Sequence, residues 1–90
     1  MNQIRASHIL VDYEHEANDL LGKIKDGKTF EELAQKFSKC PSGDQGGDLG
    51  FFKKGMMVPE FEAAAFALNT GETSKPVKTQ FGFHLIKRTE

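Results

Sequence analysis

The chain has 90 residues, enough to close a single hydrophobic core and too few for a second, so residues 1–90 are expected to fold as one domain. A formal net charge of -1 with 28% charged residues excludes both the basic excess of a nucleic-acid binder and the acidic excess of a disordered tail. Cys40 is the only cysteine, which excludes an internal disulfide and a two-cysteine zinc site and fits a reducing compartment. Met1 to Arg5 run straight into strand-like sequence with no room for a leader peptide, and the longest apolar runs fall far short of a membrane span. The expectation is a soluble, cytoplasmic monomer with no nucleic-acid partner.

From Gln3 to Val11 the sequence alternates and then becomes continuously apolar, which predicts a central strand with Ile9 and Val11 on one face and Ala6, His8 and Leu10 on the other. Asp12 is a plausible cap for a helix whose apolar residues Ala17, Leu20, Leu21 and Ile24 recur at helical spacing up to Gly27. Thr29 followed by Glu32 forms a capping box before Phe30, Leu33, Ala34 and Phe37, which share one stripe. Residues 38–50 are glycine-rich and support only turns or a single helical turn; so long a loop in a small domain is usually functional. A short strand at Leu49 to Phe52 follows. Pro59 then suits the first turn of a helix carrying Phe61, Ala64, Ala65 and Leu68, which ends at Asn69-Thr70-Gly71. The last segment predicts a hairpin, with strands over Lys75 to Lys78 and Phe83 to Arg88 around a turn from Thr79 to Gly82.

This order describes an α+β domain whose first and last strands can lie side by side at the sheet centre. His8 and His84 stand in those two strands, within Ser-His-Ile-Leu-Val and Gly-Phe-His-Leu-Ile. A lone strand histidine is more often a hydrogen-bonded core residue than a catalytic one. Two that converge on one face are another matter, because ionisable groups inside an apolar sheet bond to each other, bind a metal or serve a reaction.

Five segments in order carry a resemblance to a known family: Ala-Ser-His-Ile-Leu-Val (6–11), Thr-Phe-Glu-Glu-Leu-Ala (29–34), Gly-Gly-Asp-Leu-Gly-Phe-Phe (46–52), Met-Val-Pro-Glu-Phe-Glu-Ala-Ala-Ala-Phe-Ala-Leu (57–68) and Thr-Gln-Phe-Gly-Phe-His-Leu-Ile (79–86). From Ile4 to Glu90 the chain resembles the parvulins, small peptidyl-prolyl cis/trans isomerases of the prokaryotic single-domain type. The resemblance implies a four-stranded antiparallel sheet surrounded by about four helices (β-α3-β-α-β2) and isomerase activity on X-Pro bonds of unfolded or extended polypeptides, without a cofactor. It makes His8 and His84 the family's paired histidines. Cys40 falls where parvulins carry Cys or Asp, and Thr79 falls beside the histidine pair. It assigns Leu49, Met57 and Phe61 to the pocket for the substrate proline ring, and Phe81 to its wall.

The chemistry of such a reaction suits these residue types. Rotation about an X-Pro amide breaks resonance, with a barrier of about 18–20 kcal/mol, and breaks no other bond. An isomerase need only bind the twisted amide better than either planar form, at about tenfold in rate per 1.36 kcal/mol of differential binding. A flexible thioether and a flat aromatic wall fit a proline ring, although Phe61 also lies on the buried helix stripe and is equally at home in a core. For Cys40 two mechanisms are open: a thiol or thiolate acting on the substrate carbonyl, or a group that only tunes a His8–His84 hydrogen-bond network. The second is preferred, because relatives carry Asp there.

Phosphate-selective parvulins place a basic cluster shortly after the first histidine. Here that stretch is Val11-Asp12-Tyr13-Glu14-His15-Glu16, so no phosphate requirement is expected, and neutral or basic residues are expected before the proline. A metal site from His8, Cys40 and His84 has suitable ligand types but no clear carboxylate support, and no metal is expected. The principal rival is a noncatalytic chaperone-like module that holds proline-containing segments. A lysine excess between Lys23 and Lys54 suggests a weak contact with an anionic membrane surface.

Overall fold

The computed structural model describes residues 3–90; Met1 and Asn2, where the expected absence of a leader begins, lie outside them. The chain runs β1 (Gln3–Val11), α1 (Glu14–Lys25), α2 (Phe30–Phe37), a 3-10 helix (Pro41–Gln45), β2 (Asp48–Lys53), α3 (Pro59–Ala67), β3 (Val77–Thr79) and β4 (Gly82–Arg88). The four strands form one antiparallel sheet in the order β2-β1-β4-β3. The first and last strands are therefore central neighbours, and the helical turn expected in the glycine-rich loop is the 3-10 helix.

Alternation along β1 divides the core in two. Ile9 and Val11 point to a layer built from Ala17 and Leu20 of α1, Phe30, Leu33 and Ala34 of α2, and Leu85 of β4. Ile4 and Ala6 point the other way, toward Phe52, Ile86 and the α3 residues Phe61 and Ala65. Each large apolar side chain removed from water in this way contributes about 1.5–3 kcal/mol. Among the described residues no helix is long and apolar enough to cross a membrane.

The local signals hold in most places and shift in two. At α2 the Glu32 N–H donates to Thr29 Oγ1 (3.2 Å) and the Thr29 N–H donates to Glu32 Oε1 (3.0 Å), the reciprocal box the sequence predicts. At α1 the cap residue is Tyr13 and not Asp12. The Glu16 carboxylate takes the Tyr13 N–H at 3.0 Å, and Asp12 instead forms an ion pair with Lys39 at 2.9 Å. The third strand begins at Val77 and not at Lys75, because Pro76 has no N–H for the ladder. Before that proline, Ser74 holds β4 in place: its N–H donates to the Ile86 carbonyl (2.7 Å) and its hydroxyl accepts the Ile86 N–H (3.0 Å).

Candidate active site

His8 and His84 meet on the α3 side of the sheet, on a diagonal. His8 is opposite Ile86 and Leu10 is opposite His84, so the two histidines are two residues apart in register and share a face. Their rings lie nearly parallel, 18° apart with centroids at 5.2 Å, and the two Nδ1 atoms are 3.0 Å apart. Phe61 presents an edge to both, at 5.6 and 5.3 Å. The pairing expected from sequence is present, through a diagonal rather than a directly opposed contact.

Both outer nitrogens are also occupied. His84 Nε2 is 2.7 Å from Thr79 Oγ1, and His8 Nε2 is 3.1 Å from Ser42 Oγ. Since two neutral rings facing each other through Nδ1 can share only one proton there, the ring that donates from Nδ1 must accept at Nε2, and its partner must do the reverse. The Phe81 N–H donates to Thr79 Oγ1 at 3.2 Å and anchors that end of the run. His8, His84 and Thr79 are all buried. Burial, and secondarily the neighbouring His84, pushes the His8 pKa down to about 4, and burial lowers that of His84 as well. Both shifts keep the pair neutral at physiological pH, and the Nδ1–Nδ1 bond requires that at least one ring be neutral to accept.

Above this floor lies a cavity of about 370 Å³. Leu49, Met57, Phe61 and Phe81 all line it, together with Cys40, His8 and His84. Thr79 lies behind His84 and does not reach the cavity wall. Sequence reasoning missed four participants. Leu10, Met56 and Val58 complete the apolar wall, and Ser42 closes the hydrogen-bonded run. Leu10 carried a signal, since alternation puts it on the His8 face. Met56 and Val58 are neighbours of Met57 in a turn, where no period says which side chains point inward. Ser42 is brought over β1 because Pro41 starts a 3-10 turn and the Gly47 carbonyl, just beyond it, accepts the His8 N–H at 2.9 Å. Among the described residues no three His, Cys, Asp or Glu side chains converge as a metal-ligand set.

A central β1–β4 pair bearing two bonded histidines beneath an apolar pocket is the construction of a parvulin-type rotamase. The model of the PPIC-type PPIase domain matches residues 7–90, and the chain belongs to this family of peptidyl-prolyl cis/trans isomerases. Foldase protein PrsA of Bacillus subtilis (strain 168) is 53% identical over 89 residues, an alignment that covers 98% of this chain and 30% of PrsA. The crystal structure of PrsA from Bacillus subtilis superposes with a TM-score of 0.96 at 51% identity, over 99% of this chain and 35% of that one. NmPin, the parvulin of Nitrosopumilus maritimus, gives a TM-score of 0.91 at 47% identity, over 100% of this chain and 98% of that one. A structure described as one of two SurA-like chaperones of Campylobacter jejuni gives 0.92 at 43%, over 98% and 38%. The chain spans about a third of the length of the curated PrsA relatives.

Proposed function

We propose that the protein isomerises X-Pro bonds in extended or unfolded polypeptides and so assists their folding, by noncovalent stabilisation of the twisted amide. The observation that carries this reading is the apolar cavity floored by a buried, neutral, mutually bonded histidine pair. A proline ring is held by Leu49, Met57 and Phe61 while the amide beside it meets a small polar cluster, so the two ends of the rotating bond experience different surroundings. Binding that favours the twisted form lowers the barrier without any proton transfer. His8, His84 and Thr79 then act by shaping the floor. Cys40, which lines the same cavity, adjusts that floor without bonding to substrate.

An NMR exchange assay on proline peptides tests the reading: cis/trans exchange accelerated by the protein supports it, and peptide binding without acceleration overturns it. That second outcome would favour the noncatalytic module, which the chaperone description of the Campylobacter jejuni relative keeps in view. Under the noncovalent mechanism, Cys40→Asp retains most of the activity; activity at the uncatalysed level in a folded variant would restore a chemical role for the thiol.

The substrate preference follows from the turn after β1. Asp12, Tyr13 and Glu14 are exposed there, and Lys39 is tied to Asp12. Peptides with a neutral or basic residue before proline are therefore processed with higher kcat/KM than those with phosphoserine or Glu, and a clear preference for the anionic peptides would remove the claim. The same proposal takes residues 1–90 as one unit acting as a monomer in the cytoplasm, where a lone thiol stays reduced. It also includes a weak contact of the lysine-rich side with anionic membranes, to be read as salt-sensitive liposome binding.

A further inference from the structure

We propose that Asp48 is a positioning residue for the proline pocket: its ion pair with Arg5 holds a β-bulge that turns Leu49 into the cavity. The inference rests on the isomerase reading of that cavity and concerns how one wall of it is set.

Along β1 and β2, Arg5 is opposite Phe51 and Ser7 is opposite Asp48. Leu49 and Gly50 therefore face Ala6 alone, two residues against one. The consequence for side-chain direction is decisive. Phe52 is buried on the α3 side with Ile4 and Ala6, and Phe51 is exposed. Strict alternation from there would put Gly50 on the pocket side and Leu49 on the opposite side. Leu49 lines the pocket instead, because the extra residue at the bulge reverses the phase. Gly50 makes the reversal with φ +71, a left-handed conformation that glycine adopts without penalty.

The groups that fix this bulge converge on the Asp48 carboxylate. Its Oδ1 accepts the Gly50 N–H at 3.0 Å and the Arg5 Nε–H at 3.1 Å, and its Oδ2 accepts from the other arm of the Arg5 guanidinium at 2.5 Å. Arg5 projects from β1 across the bulge and is itself steadied by Glu90 at 3.2 Å. These bonds hold the carboxyl below the usual carboxylate range, the Arg5 hydrogen bond first and the Gly50 N–H second, so the clamp is charged at neutral pH. On the other side of Asp48, Gly47 is pressed against β1: its carbonyl accepts the His8 N–H, and a Cβ there would lie 2.3 Å from the His8 carbonyl oxygen. Asp48 thus sits between the residue that ties the loop to His8 and the residue that enters the pocket, while touching the cavity with no atom of its own.

The test compares Asp48→Ala, Asp48→Asn and Glu90→Gln. Asp48→Ala should raise KM for a proline peptide about tenfold, with kcat within about twofold, and should move the Leu49 methyl resonances. Asp48→Asn, which keeps one acceptor for Gly50, should recover part of the loss. Glu90→Gln removes the charge of the other partner of Arg5 and should leave KM and the Leu49 methyls unchanged. A folded Asp48→Ala with wild-type KM and wild-type Leu49 signals overturns the proposal, and so does a Glu90→Gln that raises KM equally. Should Asp48→Ala not fold, Asp48→Asn and Arg5→Lys, which keeps charge without the fork, decide by the same readouts. Peptide Kd from NMR titration is measured alongside. If the wild-type protein bound peptide without turning it over, the isomerase reading would fail, and the Kd comparison would still decide the role of Asp48.

Discussion

The two faces of the sheet are built from the same strands and serve opposite ends. On one face, Ile9, Val11 and Leu85 are sealed under α1 and α2 by side chains that are uniformly apolar. On the other, α3 covers the part of the sheet near Ile4, Ala6 and Phe52 and reaches His8 and His84 with the edge of Phe61, leaving them with Leu10 as the floor and side of an open cavity. The closed face holds the strands in register; the open face uses that register to bring two titratable rings to bonding distance. A polar pair of this kind is affordable on a small sheet only when the opposite face already binds its strands together.

The comparison can be broken by truncating one large residue on each face. Phe61→Ala on the open face should cost about 3–5 kcal/mol and should also lower kcat/KM of the folded protein at least tenfold, since Phe61 packs edge-on against both histidines and lines the cavity. Leu85→Ala on the closed face should cost about 2–5 kcal/mol while leaving kcat/KM per folded molecule within about twofold. Urea unfolding combined with activity measured well below the transition separates the two effects. Equal loss of activity in folded Leu85→Ala would mean that the faces are not independent.

This division was legible in the sequence to a definite depth. The alternation of β1 gave both faces and the place of His8, and the helical stripes of α1 and α2 gave the closed layer, because period 2 and period 3.6 are set by backbone geometry alone. The resemblance to parvulins added Leu49, Met57, Phe61 and Phe81 as pocket residues, and all four line the cavity. Ser42 was not legible, since its position depends on a 3-10 turn folding back over β1. Nor was the bulge at Leu49, whose cause is a carboxylate–guanidinium contact between residues 43 positions apart. Asp12 looked like a helix cap and is a tertiary partner of Lys39, while Tyr13 takes the cap position with its N–H held by Glu16. Local signals fail where a long-range partner competes for the same group.

A second way to sharpen the contrast is pH. The unfolded chain protonates His8 near pH 6.5, whereas burial holds it neutral in the fold down to about 4. The unfolded state therefore binds more protons between these values, and stability falls as pH drops through that window. His84, lowered in the same direction by burial, adds to the fall. The loss from His8 alone is on the order of 3 kcal/mol once pH reaches about 4. Asp48, whose carboxyl is lowered, gives up its own contribution only below about pH 4, so the range from 6.5 to 4.5 reports the histidines. Urea midpoints measured across that range should decline steadily. A flat profile would mean that the rings are not bonded as neutral partners.

The smallest expected effect is the most diagnostic of how the open face works. Ser42→Ala removes the partner of His8 Nε2 and should cost about 1 kcal/mol, less than either cavity mutation. A donor without an acceptor costs more to bury than an idle lone pair, so His8 should respond by holding its proton at Nδ1 and donating it to His84. His84 must then donate from Nε2 to Thr79, whose oxygen already accepts from Phe81. One hydroxyl deletion at the 3-10 turn is thereby felt at the far end of the run, with no cavity opened and the closed face undisturbed. Imidazole nitrogen-15 shifts read the proton positions directly. A single defined tautomer for each ring, with kcat/KM within a few-fold of wild type, is the expected result. If Ser42→Ala instead destabilised the protein as much as Leu85→Ala, the polar run would be a structural core in its own right. The open face would then owe its geometry to its own hydrogen bonds and not to the packing behind it.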